Sequence, residues 1–228
     1  MATRSSATVI DKEGDRNGSD ELIDIAGATP GENRVLTEKG RNTAARVIEA
    51  AIDFVVYEGY DALTMRKVAA KVGMSLSNLQ HYFKTRDDLM ATVIQTTIEQ
   101  YVVTASTFFD PSRSPRENLE AMVRFLINDI KQPKVQSLFG AIWALAQTHD
   151  FARSLMDAMY VEERKMLARF VQEVNPKLDK RQRMCRAALI GCQIEGLMLL
   201  IPQRNRFPSD IRGIEEEAVT AILALAEA

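Results

Sequence analysis

The residues from Leu63 to Phe83, LTMRKVAAKVGMSLSNLQHYF, constrain this chain more than any other stretch. Val68, Ala69 and Val72 recur at helical spacing and stop at Gly73, after which Leu79 and Phe83 take up the same spacing again. The pattern predicts two helices joined by a tight break. Gly73 suits the left-handed conformation in which a chain leaves one helix, and Ser75 or Ser77 can offer a side-chain oxygen to the free amides that open the next. A second helix of about two turns is too short to persist alone in water, so packing must hold it. Leu79 and Phe83 are its inward residues, which leaves Leu76, Ser77, Asn78, Gln80 and His81 to face outward. A short, polar-faced helix fixed rigidly on another is the geometry of helix-turn-helix DNA recognition.

That reading sits uneasily with the formal net charge of −2, which argues against a generally basic nucleic-acid binder. The distribution resolves the conflict. Residues 34 to 86 hold nine Lys and Arg against five Asp and Glu, a balance of +4. Residues 1 to 33 hold three against seven, −4, and residues 87 to 228 hold seventeen against nineteen, −2. Positive charge is concentrated where the two-helix pattern lies.

Residues 1 to 33 are rich in Gly, Ser and acid and show no sustained period, which predicts a disordered tail. Arg34, Lys39 and Arg41, just before the first helix, are the bases suited to an arm that reaches DNA. That helix is expected from about Thr43 to Glu58, with Ala44, Val47, Ile48, Ala51, Ile52 and Val55 inward and Gly59 ending it. Thr64 is placed to cap the next helix, or to meet a phosphate with the amides behind it. Arg66 and Lys67 follow on its solvent side. Between Ser75 and Phe83 there is no Arg or Lys, which removes the commonest contact to guanine. Gln80 or Asn78 can pair with adenine, Leu76 can lie against a thymine methyl, and Ser77 and His81 can meet either kind of base.

Beyond Lys84, the acidic first turn Asp87-Asp88 opens a long helix to about Phe109. Breaks at Asp110 to Pro115, at Pro133 and at Asn175-Pro176 separate further helices, with Pro115 well placed at a helix start. Two more are expected at 179 to 202 and 211 to 226. The first of these carries Ala187, Ala188, Gly191 and Gly196, small residues that admit a close neighbour. Cys185 and Cys192 are about 10 Å apart along that helix, too far for a disulfide, and read as buried thiols. With two cysteines, no apolar run of about 18 residues and no apolar region behind the first few residues, the chain is expected to be cytoplasmic and free of membrane spans. Two histidines without clustered cysteine point to no metal, and nothing points to a cofactor.

The features Glu58-Gly59-Tyr60, Leu63-Thr64, Val68-Ala69, Val72-Gly73-Met74-Ser75, Leu79 with Tyr82-Phe83-Lys84, and Arg86-Asp87-Asp88-Leu89 stand in the order and spacing of a known family. From Thr43 to Asp88, about a fifth of its length, the chain resembles the N-terminal DNA-binding domain of the TetR family of ligand-responsive repressors. The resemblance implies an all-α protein: a helix-turn-helix DNA-binding domain over 34–86 and a ligand-binding and dimerisation domain over 87–228. By position, Leu76, Ser77, Gln80 and His81 match the family's base-reading sites, Tyr82 and Lys84 its phosphate contacts, Thr64 a backbone contact and Arg66 a site that sometimes reaches guanine. Ser75 and Arg41 complete the expected DNA-binding set. Gly and Tyr are commoner in the family where this chain has Ser77 and Gln80, so the operator does not carry over.

The family also holds a mostly apolar ligand cavity among its later helices. Met122, Phe125, Trp143, Gln147 and Met159 are the residues expected to line it, although helical spacing of such side chains more often marks core. The last two helices are expected to form a homodimer interface through residues 179–226. The expected partners are therefore a double-stranded operator, a small-molecule inducer and a second copy. A helix-turn-helix activator or a nucleoid or division factor is the alternative. A helical enzyme is the more distant rival, since no HExxH, glycine-rich phosphate loop or nucleophile elbow is present.

Overall fold

The structure is a computed structural model that describes residues 37–201 and 205–228. The expected tail, with Arg34, lies outside the described residues. Among these, the regular structure is helical, with nine α-helices and no strand. In chain order they are α1 (Glu38–Glu58), α2 (Met65–Val72), α3 (Leu76–Tyr82), α4 (Arg86–Ser106), α5 (Pro115–Asp129), α6 (Pro133–Thr148), α7 (Asp150–Val174), α8 (Lys180–Met198) and α9 (Ile214–Glu227). No helix among them is long and apolar enough to cross a membrane.

Helix starts follow local chemistry. Thr37 caps α1 by accepting from the Gly40 amide at 3.2 Å, so the helix begins before Thr43, and Lys39 and Arg41 lie within its first turns rather than ahead of it. Capping boxes open α4 through Thr85 and Asp88, α5 through Ser114 and Glu117, and α8 through Asp179 and Gln182. Pro115 sits in the first turn of α5, where a missing amide costs nothing.

Two apolar cores result. The first joins α1, α2 and α3 to the start of α4, to α6 and to the first half of α7, with Val47, Val68, Leu79, Leu89, Met90 and Ile142 fully enclosed. The second joins α5, α8 and α9 to the second half of α7, around Leu119, Met122, Leu167, Phe170, Ile190 and Ile222. The core under α1–α3 continues past Arg86, because α4 supplies Leu89, Met90, Val93 and Ile94 to it. α7, 25 residues and so about 37 Å long at 1.5 Å per residue, is shared by both cores.

On α8 the small residues divide. Gly191 is buried inside the chain, and a Cβ there would stand 3.0 Å from Oε2 of Glu163 on α7. Gly196 faces outward. Cys185 and Cys192 are exposed, contrary to the expectation of buried thiols. The inward register of α8 is carried instead by Ala187, Ile190, Ile194, Leu197 and Met198, and the cysteines fall on its opposite face.

Candidate nucleic-acid interface and ligand cleft

The break between α2 and α3 is built as its residues dictate. Gly73 has φ +74°, the left-handed conformation, and its amide donates to the Ala70 carbonyl at 3.2 Å while the Met74 amide donates to that of Ala69 at 2.9 Å. This pair of bonds is the Schellman arrangement, which satisfies the last carbonyls of a helix. The last carbonyl of α2, that of Val72, accepts from the Arg46 guanidinium of α1 at 2.9 Å, so a positive group sits at the negative end of α2. At the start of α2, Thr64 Oγ1 accepts from the Lys67 amide at 3.2 Å, and at the start of α3 Ser75 Oγ accepts from the Asn78 amide at 3.1 Å. Leu79 and Phe83 are buried, at 0% and 4% exposure, and pin the seven-residue α3 to the core.

One polar face is left over. Ser77, Asn78, Gln80 and His81 of α3 are exposed, Leu76 and Tyr82 are half-buried at its ends, and Lys84 follows in the open. Thr64, Arg66 and Ser75 are exposed beside them, and Arg41 is exposed on α1. The bases of α2 do not all serve this face. Lys67 pairs with Glu58 at 3.2 Å and Lys71 with Asp53 at 2.9 Å, and both lie over the Phe54 ring. The Lys71 ammonium, with Lys134 of α6 adding to it, holds the Asp53 carboxyl below its ordinary range. Arg66 and Lys84 make no ion pair among the described residues.

At the seam between the two cores lies a cleft bounded by α4, α5, α6, α7 and α8. Its wall is apolar over Ile98, Phe139, Met159, Met166, Ile194 and Met198. Set into that wall are Tyr101, Asp129, Tyr160, Glu163 and Glu195. The Tyr101 hydroxyl donates to the Asp129 carboxylate, and burial together with that bond pushes the phenol above its ordinary value. Trp143 Nε1 donates to the Tyr160 hydroxyl at 2.7 Å, and that hydroxyl is in turn hydrogen-bonded to Glu195. Burial pushes the Glu163 carboxyl up to about 7; the neighbouring Glu195 adds to the rise and Arg164 opposes it. Glu195 is also raised by burial, with the Tyr160 hydrogen bond pulling the other way.

Of the expected ligand residues, Met159 lines this cleft and Trp143 stands behind Tyr160. The other three do not line it. Met122 is wholly enclosed in the second core, Phe125 packs its ring 5.3 Å from that of Phe108, and Gln147 is exposed near the end of α6. Sequence reasoning passed over the polar lining altogether. The signal was there: Glu163 falls at the fourth residue from Met159 and the seventh from Phe170, in the inward register of α7. Glu195 stands likewise between Gly191 and Met198 on α8.

The family described as bacterial regulatory proteins, tetR family, matches residues 47–93. An uncharacterised HTH-type transcriptional regulator from the dhlA 5′ region of Xanthobacter autotrophicus is 26% identical over 126 residues, 54% of this chain and 62% of that protein. The chain thus spans less than two thirds of that relative's length. The HTH-type transcriptional repressor KstR of Rhodococcus jostii (strain RHA1) is 21% identical over 165 residues, 66% of this chain and 77% of that protein. In three dimensions the chain is similar to Salmonella enterica GusR, with a TM-score of 0.69 over 85% of this chain and 99% of that one at 16% identity. With the break at Gly73, the buried pins of α3 and the polar face they present, these matches identify the N-terminal segment: residues 47–93 match the tetR family of bacterial regulatory proteins, and the chain as a whole shares the fold of the regulators it is similar to in three dimensions.

Proposed function

We propose that this protein is a repressor that binds a pseudo-palindromic operator as a homodimer and leaves it when a small molecule occupies the cleft among α4–α8. The observation that carries the DNA-binding half is α3 itself: the core takes Leu79 and the following Phe83, so Leu76, Ser77, Gln80 and His81 are left to read base edges. Arg66, Tyr82 and Lys84 fit phosphate contacts around it, and Thr64, Ser75 and Arg41 flank the same face. The dimer reading is supported by an exposed stripe along α8 and its C-cap, Cys185, Leu189, Cys192, Gly196 and Leu199, repeating every three or four residues. Leu189 is 52% and Leu199 76% exposed, which is costly for an isolated chain and natural for a helix that meets its own copy.

A genome-wide binding footprint of the full chain, followed by titration of the recovered operator, tests this reading. The expected site has two half-sites about 34–36 Å apart or a multiple of it, and affinity falling steeply between about 50 and 200 mM salt as counterions are released. Affinity indifferent to ionic strength overturns it.

A further inference from the structure

The carboxylates of the cleft are not balanced by the protein. Glu162 on its rim has its own cation, Lys165 at 2.6 Å, and Asp129 is held by the Tyr101 hydroxyl. Glu163 and Glu195 form no ion pair among the described residues; Arg164 is the cation that acts on Glu163, and Tyr160 the donor that serves Glu195. Gly191 leaves the Glu163 carboxylate its room between α7 and α8, since any side chain there would press on it. Two such groups in an apolar wall repel each other and lose hydration, which raises the free energy of the empty, ionised state. A positive charge entering the cleft relieves both costs. An anion would worsen them, and a neutral apolar molecule would gain nothing from the carboxylates. The rings of Tyr101, Phe139 and Tyr160 add faces on which a cation is attracted to the quadrupole.

We propose that this cleft takes a ligand with one positive charge on an otherwise apolar body, the charge against Glu163 and Glu195 and the body against Ile98, Phe139, Met159 and Met198. The proposal rests on the reading of the cleft as the ligand site and adds its chemical class. One positive charge is enough: near neutral pH the raised Glu163 carboxyl holds a proton part of the time, and an incoming cation takes that proton's place beside the two carboxylates.

Three probes of one shape class separate the alternatives: benzyltrimethylammonium, its uncharged carbon isostere neopentylbenzene, and the anion phenylacetate. Binding to the full-length protein is read from the fluorescence of Trp143, the one tryptophan of the chain, and by calorimetry in buffers of different ionisation enthalpy. The cation is expected to bind at least about tenfold more tightly than the isostere, phenylacetate weakest of all. Its affinity should weaken as pH falls from about 8 to about 6, with proton release on binding that reports Glu163 giving up its proton against Glu195, Arg164 and the Tyr160 hydroxyl. Glu163→Gln and Glu195→Gln should each abolish most of the preference for the cation while leaving the isostere bound. Equal binding of cation and isostere, or a preference unchanged in both variants, overturns the ligand class and leaves the cleft as a ligand site. No response to any probe overturns the cleft as well.

Discussion

Single side chains here do one of two things, and their surroundings decide which. Leu79 and Gln80 are neighbours on α3, yet the first is wholly buried and the second exposed, so their substitutions should fail differently. Gln80→Ala is expected to leave the melting temperature within a degree or two and to relax base preference at its position by roughly 1–3 kcal/mol, measured by competition between operator variants. Loss of the fold in that variant would place Gln80 in the core. Glu163 is the opposite case. Its carboxyl is raised from 4.5 to about 7 by burial, so the folded state holds a proton that the unfolded chain has lost between those values. Its contribution to stability is therefore fully present below about 4.5 and lost as pH rises through about 7. Glu163→Gln should remove that dependence and melt higher than the parent above neutral pH; a parallel pair of stability–pH curves would refute it. Outward positions on α3 were legible because two buried residues fix the phase of so short a helix. Glu163 was not, because a carboxylate at an inward position contradicts the pattern by which inward positions are found.

The helices that matter most are those that cannot hold themselves. α2 and α3 are eight and seven residues long, too short to persist without tertiary support. Gly73 turns the chain between them, and Arg46 reaches from α1 to the Val72 carbonyl to hold that turn. Arg46→Ala should cost about 1–3 kcal/mol, as a charge-assisted bond to a partly buried carbonyl does, and should loosen the angle between α2 and α3. Operator affinity is expected to fall more than global stability; equal losses in both would mean that Arg46 only supports the fold. The caps at Thr64 and Ser75 and the glycine break were readable from residue type, since each answers to a local hydrogen-bonding need. Arg46 was not, because its acceptor lies 26 residues away and only packing brings the two together. The same holds for Lys67 and Lys71, whose acidic partners Glu58 and Asp53 lie on α1 and withdraw them from the face proposed to meet DNA. At the other end of this unit, Tyr60 donates to Asp87 at 2.9 Å, carries Arg86 over its ring and meets His149 edge-on with ring centres 5.9 Å apart. The turn before α2, the start of α4 and the α6–α7 junction are thereby tied at one point.

A signal from the cleft has a physical route to that point. α4 and α7 each line the cleft, and both continue into the core beneath α1–α3, so a shift of either is felt under the recognition helix. A ligand moves this equilibrium only by its differential affinity for the DNA-competent and incompetent forms, a coupling that is typically about 1–3 kcal/mol. In the proposed dimer, two recognition helices are released together, one from each copy. The sequence leads one to expect the dimer surface on the last helices but does not say which residues of α8 face out, since small and apolar residues occur all round it. Gly191 and Leu197 turn inward, to Glu163 and to the second core, whereas Leu189, Cys192 and Gly196 turn out. Leu189→Glu should therefore split the dimer without unfolding the chain, because a charge at an exposed position costs little in the monomer and is buried against its own copy in the pair. Sedimentation should show a monomer with native helix content. Its affinity for the whole operator should fall to that for a half-site, with the salt dependence roughly halved as half the phosphate contacts are lost. A dimer of unchanged strength in Leu189→Glu would exclude this face of α8 as the interface.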